Sequence, residues 1–307
     1  MGSARSIDQT IDQKARFVVP NVDQAAVKTA FVLAGGGSLG AIQAGMLRVL
    51  AENNLRPDLI VGASVGAINA AHFAGDPTVS GVERLATLWR GLHRREIFPV
   101  SLKTVTNLAF GGNFLIESTS LRHIVKANIA FEKLEDSVIP IHIVATDLLT
   151  GDAVVMATGD AVDAVLASSA IPAAFPPVRR YGRYLVDAAV TSNTPVRIAV
   201  ACGARRLIVL PTGFVCALAE PPRGAIANAL QALTLLIARQ LVAELEALGP
   251  EIDYAIVPTL CPLNASPYDF SRSAELIEAS AASTRAWVDG GGLNTRVIPN
   301  SLRPHNH

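Results

Sequence analysis

Cysteine is scarce: Cys202, Cys216 and Cys261 are the three thiols in 307 residues. The count is odd and the spacings match neither a metal knuckle nor a redox pair, so there is no basis for a disulfide framework or a metal centre. Idle thiols suit a reducing compartment. Charge is sparse and balanced. There are 26 basic and 26 acidic residues, and only 17% of the chain is charged. No basic field exists that would hold nucleic acid. Aromatic residues make up only 5%. No apolar run reaches the roughly 18 residues of a membrane helix, and residues 1–28 are polar, without the apolar stretch of a secretory leader. These absences point to a cytoplasmic protein, at most peripheral to a membrane, with no cofactor and no metal.

What is abundant is small and apolar. Half of the residues are hydrophobic, enough for a large core and contrary to disorder. After a polar stretch read as a loose arm (1–28), Thr29–Ala34 reads as a buried strand, Ala41–Asn53 as a helix, Asp58–Val61 as a strand and Gly66–Ala74 as a helix. Strand and helix alternating over about 50 residues form a βαβ pattern, hence a parallel sheet with right-handed crossovers. Later segments continue it: strands at Ile139–Asp147, Arg183–Asp187, Arg206–Leu210 and Asp253–Val257, and helices at 82–93, 119–128, 160–169, 195–202, 225–248 and 271–288. Ala153–Ala157 reads as a strand antiparallel to the one before it. The expected fold is a single α/β domain over 29–300, with a parallel-rich central sheet and helices on both faces. Residues 92–137 are expected to be an insertion or lid, with Phe98, Leu102, Leu108, Phe110 and Phe114 as acyl-chain contacts. The apolar helix at 225–248 reads as a core helix first and a membrane or dimer face second.

Two glycine-rich turns carry the chemistry. Gly62-Ala63-Ser64-Val65-Gly66 is a G-x-S-x-G elbow between strand and helix. The glycines at 62 and 66 clear the bend and Ser64 becomes a candidate nucleophile at the helix N-terminus. Gly35-Gly36-Gly37-Ser38-Leu39-Gly40 leaves several amides bare after a buried strand, a nest suited to an oxyanion. The same residues fit the dinucleotide fingerprint G-x-G-x-x-G, which requires an acidic residue at the end of the second strand. That position is taken by the Ser64 turn, and Asp58 lies at the strand's other end. A plain tight turn is the remaining alternative.

The base is less obvious. A Ser-His-Asp hydrolase of the α/β type places its histidine last, yet only His305 and His307 follow any late acidic residue, at the very end of the chain. His72 reads as a packed helix residue. A carboxylate can also relay the serine proton, and Asp187, at a strand end expected on the same rim as Ser64, is the candidate. A surface or capping role is its alternative.

These segments together resemble the patatin-like phospholipase family over residues 29–211. The resemblance rests on GGGSLG at 35–40, GASVG at 62–66, ATDLLTG at 145–151, ASSAIPAAFPPV at 167–178, and Val186-Asp187-Ala188-Ala189-Val190 with Asn193 and Pro195. It implies a Ser64–Asp187 dyad, an oxyanion hole from Gly35, Gly36 and Gly37, and a phospholipid or lysophospholipid substrate. The chain departs from the family pattern at Leu39, where Arg or Lys is frequent, and at Ala188-Ala189, where glycine is usual. Alanine there would be strained if φ were positive. The expected function is serine-dependent lipid acyl hydrolysis, with transient membrane contact implied by the substrate. A thioesterase or acyltransferase on the same dyad, or a lipid-binding protein without catalysis, are the alternatives.

Overall fold

The alternation of the strands decides the layering. In Thr29–Leu33, Phe31 and Leu33 point into one buried cluster and Ala30 and Val32 into another. Leu59–Ala63 and Arg206–Leu210 divide in the same way. A strand apolar on both faces must be covered on both, and it is: the computed structural model is a central sheet between two layers of helices. It describes residues 9–12, 17–20, 28–99, 112–213, 224–261, 263 and 265–303.

The strands are β1 (Gln9–Asp12), β2 (Phe17–Pro20), β3 (Thr29–Leu33), β4 (Leu59–Ala63), β5 (Ile141–Asp147), β6 (Ala153–Met156), β7 (Val178–Arg180), β8 (Arg183–Val186), β9 (Arg206–Leu210) and β10 (Asp253–Ile256). The helices are α1 (Gly40–Glu52), α2 (Val65–Gly75), α3 (Val79–Gly91), α4 (Arg94–Ile97), α5 (Thr119–Asn128), α6 (Ala161–Ser168), α7 (Val196–Ala201), α8 (Ala225–Glu246) and α9 (Ser273–Asp289). The sheet order is β1-β2-β6-β5-β4-β3-β9-β10. The run from β5 to β10 is parallel throughout, and β6 is antiparallel to β5. One helical layer includes α1, α2, α3, α6 and α9. The other contains α7 and the C-terminal half of α8, through Leu241 and Leu245. α1 and α9 come close enough that a methyl group at Gly45 would strike the Ile277 carbonyl.

Three features differ from the sequence reading. β8 is not a parallel strand: it runs antiparallel to β5, pairing Val186 with Thr146 and Leu185 with Asp147. β7, unpredicted because Pro172, Pro176 and Pro177 precede it, forms a hairpin with β8 through Tyr181-Gly182. Two short strands, β1 and β2, lie within the segment read as an arm, and β2 pairs with β6. No described helix is long and apolar enough to cross a membrane.

Candidate active site

β3 and β4 are adjacent and parallel, with Leu33 opposite Gly62. Both glycine-rich turns therefore emerge side by side at the C-terminal end of the sheet. The chain turns from β4 into α2 at Ser64, whose φ of 52° and ψ of −124° lie in a region L-residues rarely occupy. The flanking glycines allow the close packing this requires. A Cβ at Gly66 would collide with the carbonyls of Leu33 and Ala34, and one at Gly62 would lie 2.7 Å from the Gly66 carbonyl oxygen. Ser64 N–H donates to Ser168 Oγ at 2.8 Å, and Ser169 Oγ donates to the Ser64 carbonyl at 3.2 Å. Two hydroxyls at the end of α6 thus brace the strained turn.

Asp187 reaches the same place by a different route from that expected. Because β8 is antiparallel and meets only the last residues of β5, its end descends beside the C-terminal rim of the parallel strands. Ser64 Oγ donates to Asp187 Oδ2 at 2.7 Å. Asp187 Oδ1 accepts from Ala189 N–H at 2.8 Å, Asp187 N–H donates to the Ala170 carbonyl at 2.9 Å, and Thr146 Oγ1 donates to the Asp187 carbonyl at 2.9 Å. The carboxylate is buried, and burial pushes its pKa up to about 6 against the pull of the Ser64 and Ala189 hydrogen bonds. Neither Ala188 nor Ala189 has positive φ, so alanine sits there without strain.

The three glycine amides of the loop differ in their partners. Gly35 N–H donates to the Asn193 carbonyl at 2.9 Å, so this amide already has an acceptor. Among the described residues, the N–H groups of Gly36 and Gly37 have no such partner. The loop is held by the Gly35 carbonyl, which accepts from Thr212 Oγ1 at 2.7 Å and Asn193 Nδ2 at 3.2 Å, and by Gln43 Nε2, which donates to the Ala34 carbonyl at 2.9 Å. From the far side, Ser38 N–H donates to the Pro267 carbonyl at 2.8 Å and Ser38 Oγ to the Ser266 carbonyl at 3.0 Å. Leu39 is buried in the core and contributes apolar packing.

Among the described residues, no histidine hydrogen-bonds Ser64 or Asp187. Both ring nitrogens of His72 face carbonyls, Asn128 and Gly81, at 2.9 Å, tying α2 to α3 and α5. His142 is buried against Cys202 Sγ at 3.1 Å. Burial drives its pKa down to about 4 and that of the Cys202 thiol up to about 12, a neutral pair on the sheet. His305 and His307 lie outside the described residues. Asp58 accepts from the Lys28 and Thr29 amides at the start of β3, the opposite end from the glycine loop.

Beside Ser64 opens an apolar pocket enclosing about 610 Å³, counted out to its open mouth. Trp89, Phe98, Phe175 and Phe270 supply aromatic walls, with Gly37 and Ser64 at its edge. The ring centroids of Phe98 and Phe175 are 5.6 Å apart. Among the described residues, no group of three His, Cys, Asp or Glu side chains is placed to hold a metal ion.

Ser168 and Ser169 fall within the ASSAIPAAFPPV stretch, which marked the family resemblance but gave neither a bracing role, and Thr212 carried no signal in the sequence. A lone Ser or Thr has no periodicity that separates a brace from a surface hydroxyl. Replacing Ser168 with Ala leaves the buried Ser64 N–H unpaired, and is expected to cost about 1–3 kcal/mol in urea unfolding while slowing turnover. An unchanged unfolding midpoint would show that the elbow needs no such brace.

A serine elbow, a carboxylate bonded to its hydroxyl and a glycine loop lie together at one rim of the parallel sheet. The family model for patatin-like phospholipase matches residues 31–200, more than half of the chain, and the chain belongs to the patatin-like phospholipase family. Patatin-like phospholipase domain-containing protein 7 of Rattus norvegicus is 28% identical over 186 residues, 60% of this chain and 13% of that protein. An uncharacterised NTE family protein of Mycobacterium tuberculosis is 28% identical over 180 residues, 54% of this chain and 27% of that one. The matched stretch thus spans a small part of each relative. Among solved structures the fold is similar to VipD from Legionella pneumophila, with a TM-score of 0.45, 15% identity, and 86% of this chain and 67% of that one covered. It is also similar to human GIVD cytosolic phospholipase A2 in complex with methyl gamma-linolenyl fluorophosphonate, with a TM-score of 0.46, 13% identity, and 91% and 60% covered.

Proposed function

We propose that the protein is a serine-dependent lipid acyl hydrolase working through a Ser64–Asp187 dyad. The observation that carries this reading is the 2.7 Å hydrogen bond from Ser64 Oγ to a buried carboxylate at the edge of an apolar pocket. Ser64 Oγ attacks the ester carbonyl carbon, and its proton passes to Asp187 Oδ2. The carbonyl oxygen becomes an anion and accepts from Gly36 and Gly37 N–H, with the N-terminus of α2 adding favourable potential. Collapse breaks the bond to the alcohol, which takes the proton back from Asp187. Water then repeats the sequence on the acyl-enzyme and releases the fatty acid. The acyl chain occupies the aromatic pocket. Residues 92–137 are proposed to form its wall and lid, because Leu92, Ile97, Phe98, Leu121 and Ile124 all line it. Leu102, Leu108 and Phe110 lie outside the described residues.

The base works only when ionised. A carboxyl with a pKa of about 6 predicts that kcat/KM for a soluble nitrophenyl ester rises about tenfold per pH unit below 6 and levels off above it. A profile flat between pH 5 and pH 8 would remove Asp187 from the role.

A further inference from the structure

Half of the exposed large hydrophobic side chains among the described residues are not scattered. Ten are exposed among the described residues, and five of them, Leu148, Leu149, Tyr181, Tyr184 and Val190, belong to segments that lie side by side. Leu148 N–H donates to the Tyr184 carbonyl at 2.8 Å, which fixes the Leu148-Leu149 turn to the β7–β8 hairpin. Val190 precedes Thr191, whose hydroxyl bonds that of Thr146 on β5, two residues before Leu148. Isolated exposed hydrophobics are ordinary, but a contiguous group marks an interaction surface.

The β7–β8 hairpin itself carries charge of one sign. Residues 178–184 read Val-Arg-Arg-Tyr-Gly-Arg-Tyr, three arginines and no carboxylate. Arg183 pairs with Asp147 at 2.9 Å, and Arg180 ties the hairpin back by donating to the carbonyls of Thr158 and Asp160 at 2.7 and 2.8 Å. Exposed Arg179 lies over the Tyr184 ring, 5.9 Å from its centroid. Tyr181 holds φ at 52°, a costly conformation for a bulky side chain, and is 52% exposed. Positive φ at both Tyr181 and Gly182 is what a two-residue hairpin turn requires, and the Tyr181 side chain is anchored there, its hydroxyl donating to the Thr158 carbonyl at 3.2 Å and its ring centroid lying 5.0 Å from the Arg180 guanidinium. Amphipathic rings beside arginine are what a membrane interface accommodates.

Position supplies the occupant. The hairpin is bounded in the chain by Phe175, a wall of the pocket, and by Asp187. Contact at the hairpin is therefore linked to the site by a short stretch of chain on either side. The geometry points to the β7–β8 hairpin, with Leu148, Leu149 and Val190, as the face that docks this protein on an anionic membrane surface. The inference rests on the lipid-hydrolase reading for its purpose, but binding is measurable without catalysis.

The test is co-sedimentation of the full chain with vesicles of phosphatidylcholine alone and of phosphatidylcholine with 30% phosphatidylglycerol. The wild type is expected to bind the anionic vesicles more tightly. Arg179→Gln should weaken that binding about fivefold and leave the neutral vesicles unaffected. The combined Leu149→Ser, Tyr181→Ser and Tyr184→Ser variant should lose at least about tenfold on both, with turnover of a monomeric short-chain ester unchanged. Wild-type protein that binds neither vesicle, or variants that bind as well as wild type, would overturn the proposal. A wild-type dimer that the triple variant dissolves would overturn it in favour of an interface between copies. Should the triple variant fail to fold, Arg179→Gln decides alone. If vesicle binding behaves as expected while the wild type turns over no ester, the docking face stands and the hydrolase reading falls.

Discussion

Replacing Asp187 with Asn is expected to make the protein more stable and nearly inactive. The carboxyl is held at a pKa of about 6 against an ordinary 3.8, so the folded state binds its proton more tightly than the unfolded chain does. The stability it contributes is therefore fully present below about pH 4 and lost as pH rises through 6. At pH 8 the ionised group costs about 3 kcal/mol by linkage. Asparagine fills the same space, accepts from Ala189 N–H and never ionises. Its melting temperature should exceed that of the wild type by several degrees at pH 8, and the gap should close as the pH falls to 4. Turnover should drop by about 10²–10⁴, because Ser64 loses its proton acceptor. Scanning calorimetry at pH 8 and pH 4 reads the first effect and ester hydrolysis the second. A variant less stable than the wild type at both pH values would mean that Asp187 is held by its contacts at no electrostatic cost.

Gly36→Ala should cost about 10²–10³ in kcat with little change in fold. An added Cβ at this position strikes the Thr212 hydroxyl and lies 2.6 Å from Thr212 Cβ. Thr212 cannot retreat without giving up its hydrogen bond to the Gly35 carbonyl. The loop must shift, and with it the two amides at Gly36 and Gly37 that face an oxyanion in the proposed mechanism. Gly35→Ala is a different experiment, because its Cβ meets Asn193 Oδ1 and Ser64 Cβ and disturbs the nucleophile itself. For Gly36→Ala, circular dichroism should match the wild type while kcat falls and KM stays within a few fold. A kcat within a factor of two of wild type would place oxyanion stabilisation elsewhere.

The elbow was legible in the sequence because three signals coincide there: an apolar strand, G-x-S-x-G and a small-residue helix. The parallel core was legible for the same reason, since βαβ alternation admits few topologies. The direction of β8 was not. A four-residue strand carries the same pattern whichever way it runs, and Asp187 reached the expected rim through a pairing of two residues with β5. The commitment of the Gly35 amide was equally hidden, for its partner, Asn193, lies 158 positions away. β4 extends to Ala63 rather than ending at Val61, because Gly62 reads as a turn residue and yet is a strand residue at which two backbones meet. The strain question at Ala188-Ala189 needed dihedral angles, which no composition supplies. Long-range closure of the site is what the sequence leaves implicit, and local turn chemistry is what it states.

The most direct test of the dyad is covalent. Intact-mass analysis after treatment with a long-chain alkyl fluorophosphonate should show one adduct on the wild type, mapped to the peptide carrying Ser64. It should show none on Ser64→Ala, and at least about a hundredfold slower labelling of Asp187→Asn. An adduct that persists in Ser64→Ala, or a wild type that takes up no label at any pH above 6, would contradict the assignment of Ser64 as an activated nucleophile.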